Sequence, residues 1–309
     1  MKVLFAASAL LATCSALPTK RATEAASTPN ITDVDILQYA LTLEHLEDKF
    51  YREGLANFTL EDFKKAGYNE VFYKNLKEVS YDETTHVSFL TQALTAANAT
   101  PVAECTYAFG VTDVKSFLAT ASILEGVGVS AYLGAAASIM EKLYLTAAGS
   151  ILTVEARHSS YLRKANKQSP FPQPFDAPLT LDQVYTLAAP FIVSCPASNG
   201  MLPVKAFPAL SVSTAADCIA TNKTITLQTK EPVAAAYNEK FYAAWIAVTG
   251  PTFVEAKFEN GNKFSTMVPV GFHGQSYVVI TKKEGSVTDD DVVAGPAIVE
   301  VQGANGESA

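Results

Sequence analysis

Two of the four histidines in this 309-residue chain stand three residues after a glutamate in matching surroundings. "YDETTHVSFL" (81–90) and "VEARHSSYL" (154–162) share Glu-x-x-His-x-Ser-aromatic-Leu, which aligns Glu83 and His86 with Glu155 and His158. On a helix, three residues return to nearly the same face, so each glutamate projects beside its histidine. Another pair of segments repeats a different pattern. "LEHLEDKFY" places Tyr51 seven residues after Glu44, and "LEGVGVSAY" places Tyr132 seven residues after Glu125. Seven residues make nearly two turns, so each tyrosine shares a face with its glutamate. The chain reads as two helical hairpins, each carrying Leu-Glu…Tyr and then Glu-x-x-His.

Four glutamates and two histidines turned into one helical interior need compensation. Like charges at short range raise carboxylate pKa values, and an unpaired buried charge is strongly destabilising. Two divalent cations would balance the four carboxylates, with neutral imidazoles completing the coordination. The expected metal ligands are Glu44, Glu83, His86, Glu125, Glu155 and His158. Fe and Mn both accept these oxygen and nitrogen donors. Glu47, one turn from Glu44, competes as a ligand, but its counterpart in the repeat is Gly128, which favours Glu44. The repeat also implies that His86 and His158 contribute equivalently.

These residues need long helices to position them. Thr32-x-x-Asp35 reads as a capping box, and an apolar stripe through Ile36, Tyr39, Leu43, Leu46 and Phe50 follows it. Thr59-x-x-Asp62 opens a short helix that Gly67 stops. A second long helix is expected over about 69–97, a third over 114–140 after Asp113, and a fourth over 142–166. Gly126, Ser130 and Gly134 on the third suggest close approach to a neighbouring helix. Four long amphipathic segments predict a helix bundle over residues 30–168. A Pro-rich linker with one short helix occupies 169–205. Beyond it the pattern changes to period two, with "ENGN" as a hairpin turn, and predicts a small immunoglobulin-like β-sandwich over 206–309 with Trp245 in its core.

The bundle resembles the ferritin-like superfamily, in which one Glu from each of two helices and Glu-x-x-His from each of two others hold a dinuclear centre. "LTLEHLEDKFYREGL", "ILEGVGVSAYLGAA" and "PFIVSCP" are similar to secreted fungal stress-response and desiccation-related ferritin-like proteins, over about residues 30–200. The resemblance implies that Glu83 and Glu155 bridge two metal ions, that Glu44 and Glu125 are terminal, and that His86 and His158 each hold one ion. It places Tyr51 and Tyr132 beside the ligands as candidate catalytic residues in a redox role. It implies a small oxidant, O2 or peroxide, as the reaction partner. The β domain departs from the family pattern and is a candidate surface for a cell-wall or protein partner, and the alternative to redox chemistry is a non-catalytic secreted scaffold with a vestigial or structural metal site.

Composition narrows the alternatives. With 23 Lys and Arg against 31 Asp and Glu, and no basic cluster, nucleic acid and anionic membranes are poor partners. "GVGVSA" at 126–131 matches a dinucleotide fingerprint but lies mid-helix with no preceding strand, so it is set aside. No Gly-x-Ser-x-Gly motif, paired Cys-x-x-Cys or phosphate-cradling loop is present. "MKVLFAASALLATCSALPTKR" reads as a signal peptide over 1–16, followed by a linker or short propeptide over 17–29 with a dibasic Lys20-Arg21. Sequons at Asn30, Asn57, Asn98 and Asn222 fit a secreted, extracellular or cell-wall glycoprotein. After cleavage Cys105, Cys195 and Cys218 remain. Cys195 and Cys218 are the expected disulfide from their closeness in sequence, leaving Cys105 a buried thiol. His45 and His273 are expected on the surface and in a loop.

Overall fold

The computed structural model describes residues 31–235 and 238–305. The signal peptide, the segment 17–29 and the sequon at Asn30 lie outside the described residues.

Helix α1 (Asp33–Asn57) starts where its cap dictates: Asp35 N–H donates to the Thr32 hydroxyl, and Thr32 N–H donates back to the Asp35 carboxylate. The same reciprocal box joins Thr59 and Asp62 at the start of α2 (Leu60–Lys65), and Asn69 caps α3 (Glu70–Ala96). Each cap satisfies otherwise orphaned N–H groups and contributes about 1 kcal/mol. A two-residue strand, β1 (Thr106–Tyr107), leads to α4 (Val114–Ala135), capped by Asp113. Helix α5 (Lys142–Ala165) completes the bundle. The Pro-rich linker then leads to α6 (Leu181–Ala188) and β2 (Ile192–Ser194).

Helix α1 packs on α3, and α4 on both α5 and α1. One end of the bundle is closed by an aromatic cluster in which Phe50 and Phe117 stack with centroids 4.9 Å apart. Helix α4 is buried around most of its circumference. Together with the turn that follows, it is long and apolar enough to cross a membrane by length and composition, and most of it is covered by the rest of the chain.

The C-terminal region is a sandwich of two four-stranded antiparallel sheets. Its strands are β3 (Leu210–Val212), β4 (Thr224–Thr229), β5 (Tyr242–Trp245), β6 (Thr252–Glu255), β7 (Lys257–Asn260), β8 (Lys263–Met267), β9 (Gly274–Thr281) and β10 (Val292–Val301). The sheets run β10-β9-β5-β6 and β3-β4-β8-β7. Ile225, Leu227 and Phe264 of one sheet pack against Trp245, Val278, Ile280 and Val299 of the other, with Trp245 fully buried. The stretch "TFVEAKF", which reads as one strand, is two. The chain changes sheets at the buried Ala256, whose N–H donates to the Phe241 carbonyl.

Two expectations are corrected here. The disulfide joins Cys105 to Cys195, with Cα atoms 4.3 Å apart, and Cys218 is free and exposed. Pairing of β1 with β2 sets Thr106 opposite Ser194, which brings the preceding Cys105 to the following Cys195. Closeness in space decides the bond, not closeness in sequence. The small-residue face of α4 meets the linker and the β domain. A Cβ on Gly134 would lie 1.8 Å from the Leu179 carbonyl oxygen, and one on Gly126 would lie 2.5 Å from Gln275. Tyr277 of β9 donates to the Gly126 carbonyl at 2.8 Å. Arg163 of α5 adds a bidentate pair with Glu300 of β10, at 3.0 and 2.8 Å.

Candidate metal centre

Helix α1 carries Glu44 and Tyr51, α3 carries Glu83 and His86, α4 carries Glu125 and Tyr132, and α5 carries Glu155 and His158. All four glutamates are at most 1% exposed, and the two histidines are 8% and 6% exposed. Such burial of carboxylates inside a bundle requires a counter-charge. The structure gathers these groups into two sets. Glu44, Glu83, His86 and Glu155 form one, and Glu83, Glu125, Glu155 and His158 form the other, with the candidate donor atoms of each set within 4.8 Å of one another. Glu83 and Glu155 belong to both.

The donor atoms converge on shared points. His86 Nδ1 lies 3.3 Å from Glu44 Oε2, from Glu83 Oε2 and from Glu155 Oε1. His158 Nδ1 lies 3.0 Å from Glu83 Oε1 and 3.3 Å from Glu125 Oε2. Distance and direction disagree at His158. Its Nδ1 and the oxygens of Glu83 and Glu125 beside it have no hydrogen-bond partner, as do Glu44 Oε2 and both oxygens of Glu155. Buried polar atoms without partners are costly, and lone pairs aimed at one point are what a cation satisfies. The residues present fit a metal, and the oxygen-rich donor set with two imidazoles is one that suits iron or manganese.

Without a cation, protons must offset the same charge. Burial opposes the charged form of His158, yet Glu125 and Glu83 outweigh it and push its pKa up to about 11. His86 is raised too, since Glu155, Glu44 and Glu83 overcome its burial. Burial, then the charge of Glu125, lifts Glu83 to about 7. Glu155 is raised by burial and by the charges of Glu83 and Glu125. Glu125 moves down despite its burial, because the charge of His158 and the hydrogen bond from Tyr51 favour its charged form.

Both tyrosines reach across the bundle. Tyr51 of α1 donates to Glu125 Oε1 of α4, and Tyr132 of α4 donates to Glu44 Oε1 of α1. Burial, then the adjacent carboxylate, holds each phenol far above its ordinary pKa, so both remain hydrogen-bond donors. They hold the outer oxygens of Glu44 and Glu125 and leave the other oxygens facing the cluster.

Some groups break the repeat. Glu47 is buried, and a Cβ on Gly128 would lie 3.1 Å from Glu47 Oε1 and 3.3 Å from Glu155 Oε2. The glycine makes room for this fifth carboxylate, whose pKa is raised by burial and then by Glu155, Glu83, Glu44 and Glu125. Asp82, which the repeat does not single out, lies 3.1 Å from His158 Nε2. The equivalent position on α5 is Val154, and among the described residues His86 has no such acid. The signal for Asp82 was its place beside Glu83. His45 lies outside the cluster and is half-buried, with Nε2 3.0 Å from the Val102 carbonyl rather than open to solvent. His273 is a buried loop residue whose Nδ1 is 3.0 Å from the Gln302 carbonyl.

The fold and the cluster define a helical bundle with a buried carboxylate–histidine site, joined to a β domain. Residues 32–168 match the family model of the ferritin-like domain. The chain is similar to protein rds1 of Schizosaccharomyces pombe, at 31% identity over 182 residues, which is 58% of this chain and 44% of that protein. It therefore spans less than half the length of this curated relative.

Proposed function

We propose that the bundle holds two Fe or Mn ions and that the protein is an oxidoreductase acting on O2 or peroxide. The observation that carries this reading is the convergence of partnerless donor atoms from Glu44, Glu83, Glu125, Glu155 and His158, together with His86, on two adjoining positions. Glu83 and Glu155 would be shared between the ions, Glu44 and His86 would complete one position, and Glu125 and His158 the other. When bound, a reduced Fe or Mn pair would supply two electrons, which with two protons would reduce O2 to H2O2 or H2O2 to two waters. The chain's own part is to exclude water, fix the donors and deliver protons. Tyr51 and Tyr132 hold the terminal carboxylates, and partly exposed Asp82 links His158 to solvent.

Export to the extracellular space or cell wall, and a role in stress, belong to the same proposal. The N-terminal leader pattern, the Cys105–Cys195 bond and the exposed sequons at Asn57, Asn98 and Asn222 support export. Anaerobic loading with Fe(II), followed by exposure to O2 or peroxide, tests the redox reading. Two electrons leave each chain in the wild type and none in Glu83→Gln. A loaded chain that yields no electrons to either oxidant sinks it.

A further inference from the structure

The seam between α1 and α4 contains an apolar cavity of about 200 Å³. Leu43 and Leu46 wall it from α1, Leu124 and Val127 from α4, and Leu187 from α6. Glu47 is the one polar side chain among its lining residues. At the outer end stand Ile123, which is 37% exposed, and Pro190, which is exposed. At the inner end stand Glu47 and Gly128. Gly128 has no side chain, and a Cβ there would touch the cluster carboxylate of Glu155. The cavity thus reaches from partly exposed residues to Gly128, which borders the cluster carboxylate of Glu155.

We infer that this cavity is a binding site and entry route for a small apolar molecule, dioxygen by its chemistry, with Gly128 as the aperture to the cluster. Size and polarity choose the ligand. Enclosed apolar cavities of about 150 Å³ stay dry and take up xenon or benzene; this one opens at its outer end, and its lining, with Glu47 as the one polar side chain, favours an apolar gas over water. Hydrogen peroxide entering here would give up its hydrogen bonds to water with only Glu47 to replace them. The asymmetry of the repeat has a use on this account. Where α1 carries Glu47, α4 carries glycine, and any side chain at 128 would press on the carboxylates of Glu47 and Glu155. The inference rests on the redox reading proposed above, because delivery matters only if the cluster holds metal.

Xenon tests the cavity without metal or turnover. Crystals of the metal-free full chain under xenon pressure are expected to show xenon between Leu43, Val127 and Leu187. Val127→Phe should remove that xenon, leave iron content unchanged and slow oxidation of the Fe(II)-loaded chain by O2 about tenfold or more, with less effect on oxidation by hydrogen peroxide. If Val127→Phe does not fold, Leu187→Phe fills the same space from the opposite wall and gives the same readings. Absence of xenon from the wild-type cavity overturns the site. A filled cavity with wild-type O2 kinetics overturns the route, and equal slowing with peroxide overturns the assignment to an apolar ligand. A chain that shows xenon in the cavity but binds no iron overturns the metal reading, and the delivery role with it, while leaving the gas site standing.

Discussion

Asp82 of α3 lies 3.1 Å from Nε2 of His158 on α5, so the histidine is held between a partly exposed acid and the buried carboxylates of Glu83 and Glu125. A proton on Nε2 donated to Asp82 leaves the Nδ1 lone pair facing the cluster. Acids placed in this way fix the tautomer and orientation of a metal-binding imidazole, and their loss typically lowers metal affinity about 10–100-fold. Asp82→Ala should weaken one of two metal positions by that factor, and Val154→Ala neither. Chelator competition titrations would show two affinities in the variant. Equal loss at both positions, or none, contradicts the assignment.

The two crossed tyrosine bonds should contribute to stability through the carboxylates they partner. Tyr51→Phe removes the donor to Glu125, and Tyr132→Phe removes the donor to Glu44. A hydrogen bond to a buried charged group contributes about 1.5–3 kcal/mol, so each variant should lose stability of that order. Chemical denaturation of the metal-free proteins measures it. Changes below about 0.5 kcal/mol in both would mean that the tyrosines are packing residues only.

Metal binding should release protons, and the metal-free chain should respond to pH in the opposite sense from the loaded one. The folded pKa of His158, about 11, is raised above its ordinary value of 6.5, and that of Glu83, about 7, above 4.5. Each raised group contributes stability that is fully present below its unfolded pKa and lost as pH rises through its folded one. Metal-free stability from Glu83 should therefore decline between pH 4.5 and 7, and that from His158 between 6.5 and 11. Metal must displace the same protons, so its apparent affinity should rise with pH. Calorimetry in buffers of different ionisation enthalpy counts the protons released. Binding at neutral pH without proton release contradicts the electrostatics described.

The Cys105–Cys195 bond closes a loop with a sequence separation of 90 that contains all of α4 and α5. In the chain-entropy account a loop of this length contributes about 4–5 kcal/mol. Cys105→Ser and Cys195→Ser should both lower the melting temperature, and Cys218→Ser should not. Peptide mapping without reduction should recover Cys105 with Cys195. A Cys195–Cys218 peptide would falsify the assignment.

The helices were legible in the sequence because independent signals coincide in them. Thr32, Thr59, Asn69, Asp113 and Thr180 all cap helices, and apolar periodicity continues from each cap where the helix is long. The six charged or imidazole groups that meet in the cluster were legible as a set because the chain repeats them. What breaks the repeat was missed, as with Asp82, or ranked second, as with Glu47. Asp82 has a valine as its counterpart, and Glu47 is admitted by a glycine that reads as a mismatch. The disulfide depends on a two-residue ladder between β1 and β2, too short to leave a period in the sequence. The change of sheet at Ala256 leaves none either, since alternation continues through it.

The most direct test of the proposed dinuclear centre is anomalous X-ray diffraction at the Fe and Mn absorption edges. Protein purified from its native host, or reconstituted without oxygen, should be used, with metal content measured on the same sample. A chain with the proposed centre carries about two equivalents of Fe plus Mn. Two anomalous peaks are expected, both touching Glu83 and Glu155, one beside Glu44 and His86 and the other beside Glu125 and His158. Well under one equivalent, or a single peak held by one histidine while the other imidazole stays unligated, would contradict it.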